Sequence, residues 1–248
     1  MSCYLSFKNV DKSFYMIKEE TKVLENINFE VNKGEIVAIV GPSGCGKSTI
    51  LNLICNLIKP DSGEIKINGK IGYMFQKDQL FDWRTVYKNI TLGPEIAKVK
   101  IDQESIDNML KKYGLYEFKD YYPKQLSGGM RQRVALLRTL ALNPDILLLD
   151  EPFSSLDYQT KINVQEDMYK IIKDEKKTAI LVTHDITEAI AMADVVIVLT
   201  KRPTTIKVIH KIDLKIEGEK SPLKARNSPL FKEYFNLLWK ELDFDEQA

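Results

Sequence analysis

The sequence predicts an α/β domain: a largely parallel sheet, an antiparallel β portion ahead of it, and a helical lobe inserted between about residues 79 and 143. Three observations carry this. The runs "DILLLD" at 145–150, "TAILVTH" at 178–184 and "VVIVLT" at 195–200 are strand-length, almost wholly apolar, and separated by helical segments. Such runs fit strands covered on both faces, as in a parallel sheet. A glycine-rich stretch, "GPSGCGKST" at 41–49, stands between the apolar run "EIVAIV" and a segment with helical apolar spacing, "STILNLICNLI". Between 79 and about 143 the pattern is helices and loops with no convincing strand.

Taken in order, "YLSFKNV" and "VLENINFEV" alternate with the period of antiparallel strands, and Gly34 turns the chain into "EIVAIV". After the helix ended by "KPDSGE", a short apolar run precedes Gln76, and the helical lobe follows. The three apolar strands come next, then "TTIKVIHKIDL", a further strand. The last helix, "PLFKEYFNLLWKEL", aligns Phe231, Phe235, Leu238 and Leu242 on one face as a packing surface. The expected organisation is one domain: a core from 1–78 and 144–215, the lobe at 79–143, and a helical tail at 216–248. No repeat or low-complexity segment interrupts it.

Composition narrows the function. The chain has 248 residues with 36 basic and 35 acidic side chains, a net charge of +1. That balance gives no basic stripe of the kind nucleic-acid binding needs. The cysteines, Cys3, Cys45 and Cys55, have no metal spacing and read as reduced thiols. The opening residues lack the apolar centre of a signal peptide, and no apolar run is long enough to span a bilayer. The expectation is a soluble, cytoplasmic chain whose membrane role, if any, comes through a partner.

The chemistry lies in motifs. Gly41, Pro42, Ser43, Gly44, Cys45, Gly46, Lys47, Ser48 and Thr49 match GxxxxGK[ST] in its strand-to-helix context. Glycines let backbone N–H groups converge on phosphate oxygens, Lys47 reaches the β- and γ-phosphates, and Ser48 offers a hydroxyl to Mg²⁺. In "ILLLDEP", Asp150 emerges at a strand's C-terminal end and suits the Mg²⁺ shell, while Glu151 suits a general base for an attacking water. Gln76 is placed to hold Mg²⁺ or that water through its amide oxygen. His184, at the end of another strand, is placed to meet the γ-phosphate; His210 has no such role. In "QLSGGMRQR", Ser127 caps a helix and Gly128 and Gly129 expose N–H groups at its positive end. Without a phosphate to bind, the two glycines are a loss of roughly 1 kcal/mol each of helix propensity. Cys45, inside the loop beside Lys47, is expected to favour thiolate.

Phosphate loop, glutamine, LSGGM, LLLDEP, SSLD and TH, in that order, resemble the ATP-binding subunit of ABC transporters over essentially the whole chain. The resemblance implies ATP and Mg²⁺ as cofactors. It also implies a head-to-tail dimer in which the signature residues Ser127, Gly128 and Gly129 face the partner's nucleotide, with the D-loop, residues 154–157, along the seam. It adds Phe14, or its neighbour Tyr15, as the aromatic that stacks on adenine. The signature ends in Met130 where the commonest family form has Gln. The stretches at 78–93 and 184–206 are similar to the nitrate, sulfonate and taurine importer branch, which also includes importers of thiamine precursors. Multi-span permease subunits and, indirectly, a substrate-binding protein are the implied partners, with the chain peripheral on the cytoplasmic side of the membrane. Leu80, Phe81 and Trp83 are candidates either for the groove that receives the permease or for the lobe's own core. The alternative is a soluble ABC ATPase of DNA repair or translation; such proteins carry long coiled coils or fused cassettes, and neither occurs here.

Overall fold

The computed structural model describes residues 2–16 and 19–243. Two long strands, β1 (Cys3–Met16) and β2 (Glu19–Asn32), form an antiparallel pair, and β4 (Ser62–Ile67) joins β1 to complete a three-stranded sheet. The larger sheet has six strands: β3 (Ile36–Val40), β5 (Ile71–Met74), β6 (Ile146–Asp150), β7 (Thr178–Val182), β8 (Val195–Leu199) and β9 (Ile206–Lys211). Their spatial order is β5-β6-β7-β3-β8-β9, parallel except for β9, which runs antiparallel to β8.

The central strands are apolar throughout because both faces are covered. Ile36, Ala38 and Val40 of β3 pack toward one core, while Val37 and Ile39 pack toward the other. The second core includes the antiparallel sheet, where Phe7 stacks on Phe29 at 4.6 Å, and helix α1 (Lys47–Ile54). The first core is closed by the helical lobe and by helices α6 (Tyr158–Asp174), α7 (Ile186–Met192) and α9 (Pro229–Asp243).

The lobe contains α2 (Val86–Ile90), α3 (Leu92–Ile96), α4 (Gln103–Lys112) and α5 (Gly128–Leu140). Asp102 caps α4, and its buried stripe is Ile106 and Leu110. Asn89, fully buried, accepts from Phe81 N–H and donates to the carbonyls of Phe81, Arg84 and Thr85, fixing the segment after the glutamine. No helix among the described residues is long and apolar enough to cross a membrane.

Two details differ from expectation. The helix after the phosphate loop ends at Ile54 rather than running through "CNLI", because Asn56 takes a left-handed conformation with φ 54°. Leu57 then lies exposed. Strand β4 has no counterpart in the sequence pattern: its residues "SGEIKI" are mostly exposed, so no apolar face marks them. The tail helix follows its predicted face, with Leu238 buried and Phe231, Phe235 and Leu242 half-buried against the core. The expected tail, 216–248, extends past the described residues at 244–248.

Candidate nucleotide site

The phosphate loop follows directly from β3. Gly44 and Gly46 have φ values of 74° and 117°, in the region where a Cβ is strained. A Cβ on Gly46 would also lie 2.9 Å from Val23 Cγ1, so the loop is pressed against β2. Lys47 is buried and donates to the carbonyls of Gly41 at 2.7 Å and Pro42 at 3.0 Å. Ser43, Gly44 and Ser48 are exposed, Pro42 and Thr49 half-buried. The Thr204 hydroxyl donates to the Cys45 carbonyl and ties the loop to the β8–β9 turn. That turn also brings Arg202 against the loop, its guanidinium 3.1 Å from where a Gly44 Cβ would stand. Nothing in the local sequence pattern marks this cation as a neighbour of the loop.

Cys45 corrects an expectation. Its thiol is 1 % exposed, and burial pushes its pKa up despite the opposing influence of Lys47 and Arg202. The loop's positive field is outweighed by desolvation, so the thiol form is favoured.

The strand ends gather the remaining polar residues. Glu151, next after β6, has φ 45°, a left-handed conformation that costs a non-glycine residue of order 1–3 kcal/mol. Its N–H donates to Val182 O at 2.8 Å, and its side chain turns to the cluster. Glu151 Oε2 lies 3.2 Å from His184 Nδ1 and accepts from Gln76 Nε2 at 3.4 Å. Gln76 Nε2 also reaches Ser154 Oγ at 3.4 Å. Three residues distant in sequence therefore converge on one carboxylate. Asp150 accepts from the Tyr73 hydroxyl at 2.9 Å, and burial, with the charge of Glu151, raises its pKa. Tyr73 is a positioning partner that sequence reasoning missed, hidden in the short run before Gln76. Asp185 caps α7 and is paired with Lys161 at 2.8 Å, which anchors the segment behind His184.

Helix α5 begins at the signature. Ser127 is its N-cap and accepts from Met130 N at 3.2 Å. Arg131 joins this turn to the glutamine segment by donating to Asp78 Oδ2 at 3.0 Å and to Leu126 O at 3.1 Å. No hydrogen bond or ion pair among the described residues connects Ser127, Gly128 or Gly129 to the phosphate loop. The glycines are also less dispensable to the lone chain than propensity suggests. A Cβ on Gly129 would stand 2.8 Å from Val164 Cγ2 of α6, and one on Gly128 would stand 3.1 Å from Leu156 Cδ2 of the D-loop. Close packing of α5 on α6 is thus a second reason for Gly129.

Phe14 lies on β1 opposite Thr21, 42 % exposed, with Lys12 Nζ 5.7 Å from its ring centre. The same hairpin supplies Val23 and Leu24, which touch Gly46. Tyr15 is more exposed and pairs with Glu20. Among the groove candidates, Leu80 packs into the lobe core, Phe81 lines a cavity of about 340 Å³ with Phe75, Leu92 and Ile96, and Trp83 is 74 % exposed beside Phe81.

One neighbour of the loop was missed entirely. Trp239 and Leu242 of α9 line a cavity of about 200 Å³ whose other wall is Gly41, Pro42, Ser43, His184 and Ile186. The helical stripe showed that α9 packs, not where.

The residues expected to hold Mg²⁺ have side chains suited to it. Ser48 exposes its hydroxyl at the start of α1, and Asp150 carries a desolvated carboxylate whose charge a cation would offset. No cluster of three or more His, Cys, Asp or Glu side chains forms a metal cage among the described residues. A magnesium ion here would be shared with phosphate oxygens, its usual mode of binding.

A family profile described as "ABC transporter" matches residues 24–154. The chain is 42% identical to an uncharacterized ABC transporter ATP-binding protein, YtlC, of Bacillus subtilis, covering 97% of this chain and 96% of that one. It is 38% identical, with 97% and 96% covered, to the aliphatic sulfonates import ATP-binding protein SsuB of Bacillus cereus. Among solved structures, a dimeric ATP-binding cassette in a post-hydrolysis state bound to ADP and Pi superposes with a TM-score of 0.71 at 34% identity, covering 84% of this chain and 99% of that one.

Proposed function

The chain belongs to the ABC transporter family as an ATP-hydrolysing, ATP-binding cassette, and from that premise we propose that it is the energy-coupling subunit of an importer for a small nutrient, nitrate-, sulfonate- or taurine-like or a thiamine precursor. It works as a head-to-tail pair with two ATP molecules at the interface, peripheral to the cytoplasmic face of the membrane and docked on multi-span permease subunits that a substrate-binding protein serves. The observation that carries the reading is the convergence of Gln76 and His184 on Glu151 at strand ends level with the phosphate loop.

In this mechanism the loop N–H groups and Lys47 hold the β- and γ-phosphates, and Phe14 covers the adenine. Ser48, Asp150 and Gln76 would hold Mg²⁺, which would supply charge neutralisation of the phosphates. Glu151 takes a proton from the attacking water, its carboxylate held by the Gln76 amide and flanked by His184. His184 meets the γ-phosphate, and Ser127, Gly128 and Gly129 of a second copy close over it. Gln76 joins this chemistry to the lobe, because Asp78, two residues on, is bound by Arg131 of α5. Closure over ATP would thereby move the cavity lined by Phe81, where the permease docks. The dimeric relative with ADP and Pi and the sulfonate-import relative support this reading.

The test is a tagged pull-down from detergent-solubilised membranes of the native host. A multi-span permease in about equal amount is the expected partner; ribosomal or DNA-repair partners with no permease would overturn the importer assignment while leaving the ATP chemistry intact.

A further inference from the structure

A second cavity, of about 540 Å³, lies between α6 and the segment 219–224, which leads into α8 (Pro222–Asn227). Lys173, on its wall, bonds the Gly34 carbonyl and Asp194, residues that precede β3 and β8. The cavity therefore sits at the end of the sheet opposite the phosphate loop, and its volume is in the range of small-molecule sites.

Four lysines line it: Lys170, Lys173, Lys220 and Lys224. Lys173 is neutralised by Asp194 at 3.0 Å. Lys220 donates to the Ala193 carbonyl and Lys224 to the Glu219 carbonyl at 3.0 Å, neither of which carries charge. Lys170 has no hydrogen bond or ion pair among the described residues. Of the three carboxylates on the wall, Asp174 faces Lys112 at 3.6 Å and Glu166 accepts from Leu223 N–H at 2.9 Å, leaving Glu219 without a cation. Setting aside the two ion pairs, three ammonium groups face two carboxylates.

Tyr169 gives the second, independent observation. It is only 6 % exposed and lines the cavity, yet its hydroxyl has no protein partner. The hydroxyl is not sealed away but keeps access to solvent at the cavity wall, so it is free to donate to an occupant. We propose that this cavity is a binding site for a small oxyanion, free or carried on a small organic body, held by Lys170, Lys220 and Lys224 and by the Tyr169 hydroxyl. Lys220 fits the role: burial lowers its pKa to about 8, a desolvation that a bound anion offsets. The site is independent of the nucleotide site and of the importer reading.

The probe is inorganic phosphate, and the readout is trace acetylation of each lysine, mapped by peptide mass spectrometry on the full chain. Millimolar phosphate, against sodium chloride of equal ionic strength, should slow acetylation of Lys220 and Lys224 while leaving the exposed Lys232 and Lys240 unchanged. Lys47 in the same digest reports phosphate at the loop separately. Tyr169→Phe should raise the phosphate concentration needed by about tenfold, the effect of losing one hydrogen bond to a charged group. Unchanged rates at Lys220 and Lys224, or protection equal with chloride, would overturn the site. Protection by anionic phospholipid vesicles where phosphate gives none would overturn it in favour of a membrane contact.

Discussion

The phosphate loop and the start of α5 use the same device, helix-start N–H groups cleared of Cβ atoms by glycine, but the chain finishes them to different degrees. Around the loop, Lys47 is buried against Gly41 and Pro42, Thr204 pins Cys45, Arg202 stands beside Gly44, and Glu151, His184 and Gln76 close the strand ends. At α5, Ser127 is exposed and meets only its own helix. One half-site is built by long-range folding; the other is built by four consecutive residues and offered outward. Under the proposed pairing, the phosphate site is divided so that neither half is complete within one copy.

The sharpest way to break this comparison is to remove the chemistry from the finished half. Glu151→Gln keeps an acceptor for Gln76 but loses the base, so turnover should fall by about 10²–10⁴ while ATP binding persists. Sedimentation with Mg-ATP should then show a trapped dimer; a monomer at saturating nucleotide would mean that the α5 half-site is not offered to a second copy.

The next largest effects separate the two reasons for the signature's composition. Ser127→Arg should cost roughly 1 kcal/mol of stability through the lost cap. Its ATPase rate should fall by about 10²–10³, as when one transition-state donor is removed. Gly129→Ala pushes a Cβ to 2.8 Å from Val164 Cγ2, and overpacking of that kind costs about 1–3 kcal/mol. Thermal denaturation should therefore show no gain in stability for Gly129→Ala, despite the roughly 1 kcal/mol of helix propensity that alanine regains, and full activity in Ser127→Arg would remove the divided site.

The contrast also marks how far the sequence could be read. The contiguous motifs were legible because spacing alone sets their geometry: residues 41–49 between strand and helix, Asp150 and Glu151 at a strand end, Ser127 at a helix start. The buried parallel strands were legible for the same reason, being apolar throughout. What escaped depends on three-dimensional neighbours. Tyr73 on Asp150, Arg202 beside Gly44 and Trp239 beside Pro42 come from elements whose own patterns say only that they are strand, turn and helix. The thiolate expected at Cys45 failed likewise, since burial by β2 and the β8–β9 turn has no local signature.

Cys45 yields a smaller but clean effect. With its thiol buried and its pKa raised, maleimide at neutral pH should label the half-buried Cys3 first and Cys45 only slowly. Peptide mapping after a timed reaction checks this. Labelling of Cys45 as fast as Cys3, suppressed by ATP, would mean that the loop opens far more readily than its hydrogen bonds suggest.

The smallest expected change is spectroscopic, and it asks where the seam between copies ends. The chain has two tryptophans, so Trp83→Phe leaves Trp239 as the single reporter. Trp239 is 53 % exposed and walls the cavity whose far side is Gly41, Pro42, Ser43 and His184. Phe235, 5.9 Å away, steadies its ring from within α9. If a second copy closes over the phosphate loop, water leaves that cavity and the indole emission should shift to shorter wavelength. Placed in the Glu151→Gln background, the shift should follow Mg-ATP and protein concentration together, because both are needed for closure. A dimer seen by sedimentation with no shift would put α9 outside the seam. A shift that follows ATP but not protein concentration would instead mean that the finished half-site alone moves α9, and that the helix responds to nucleotide within one chain.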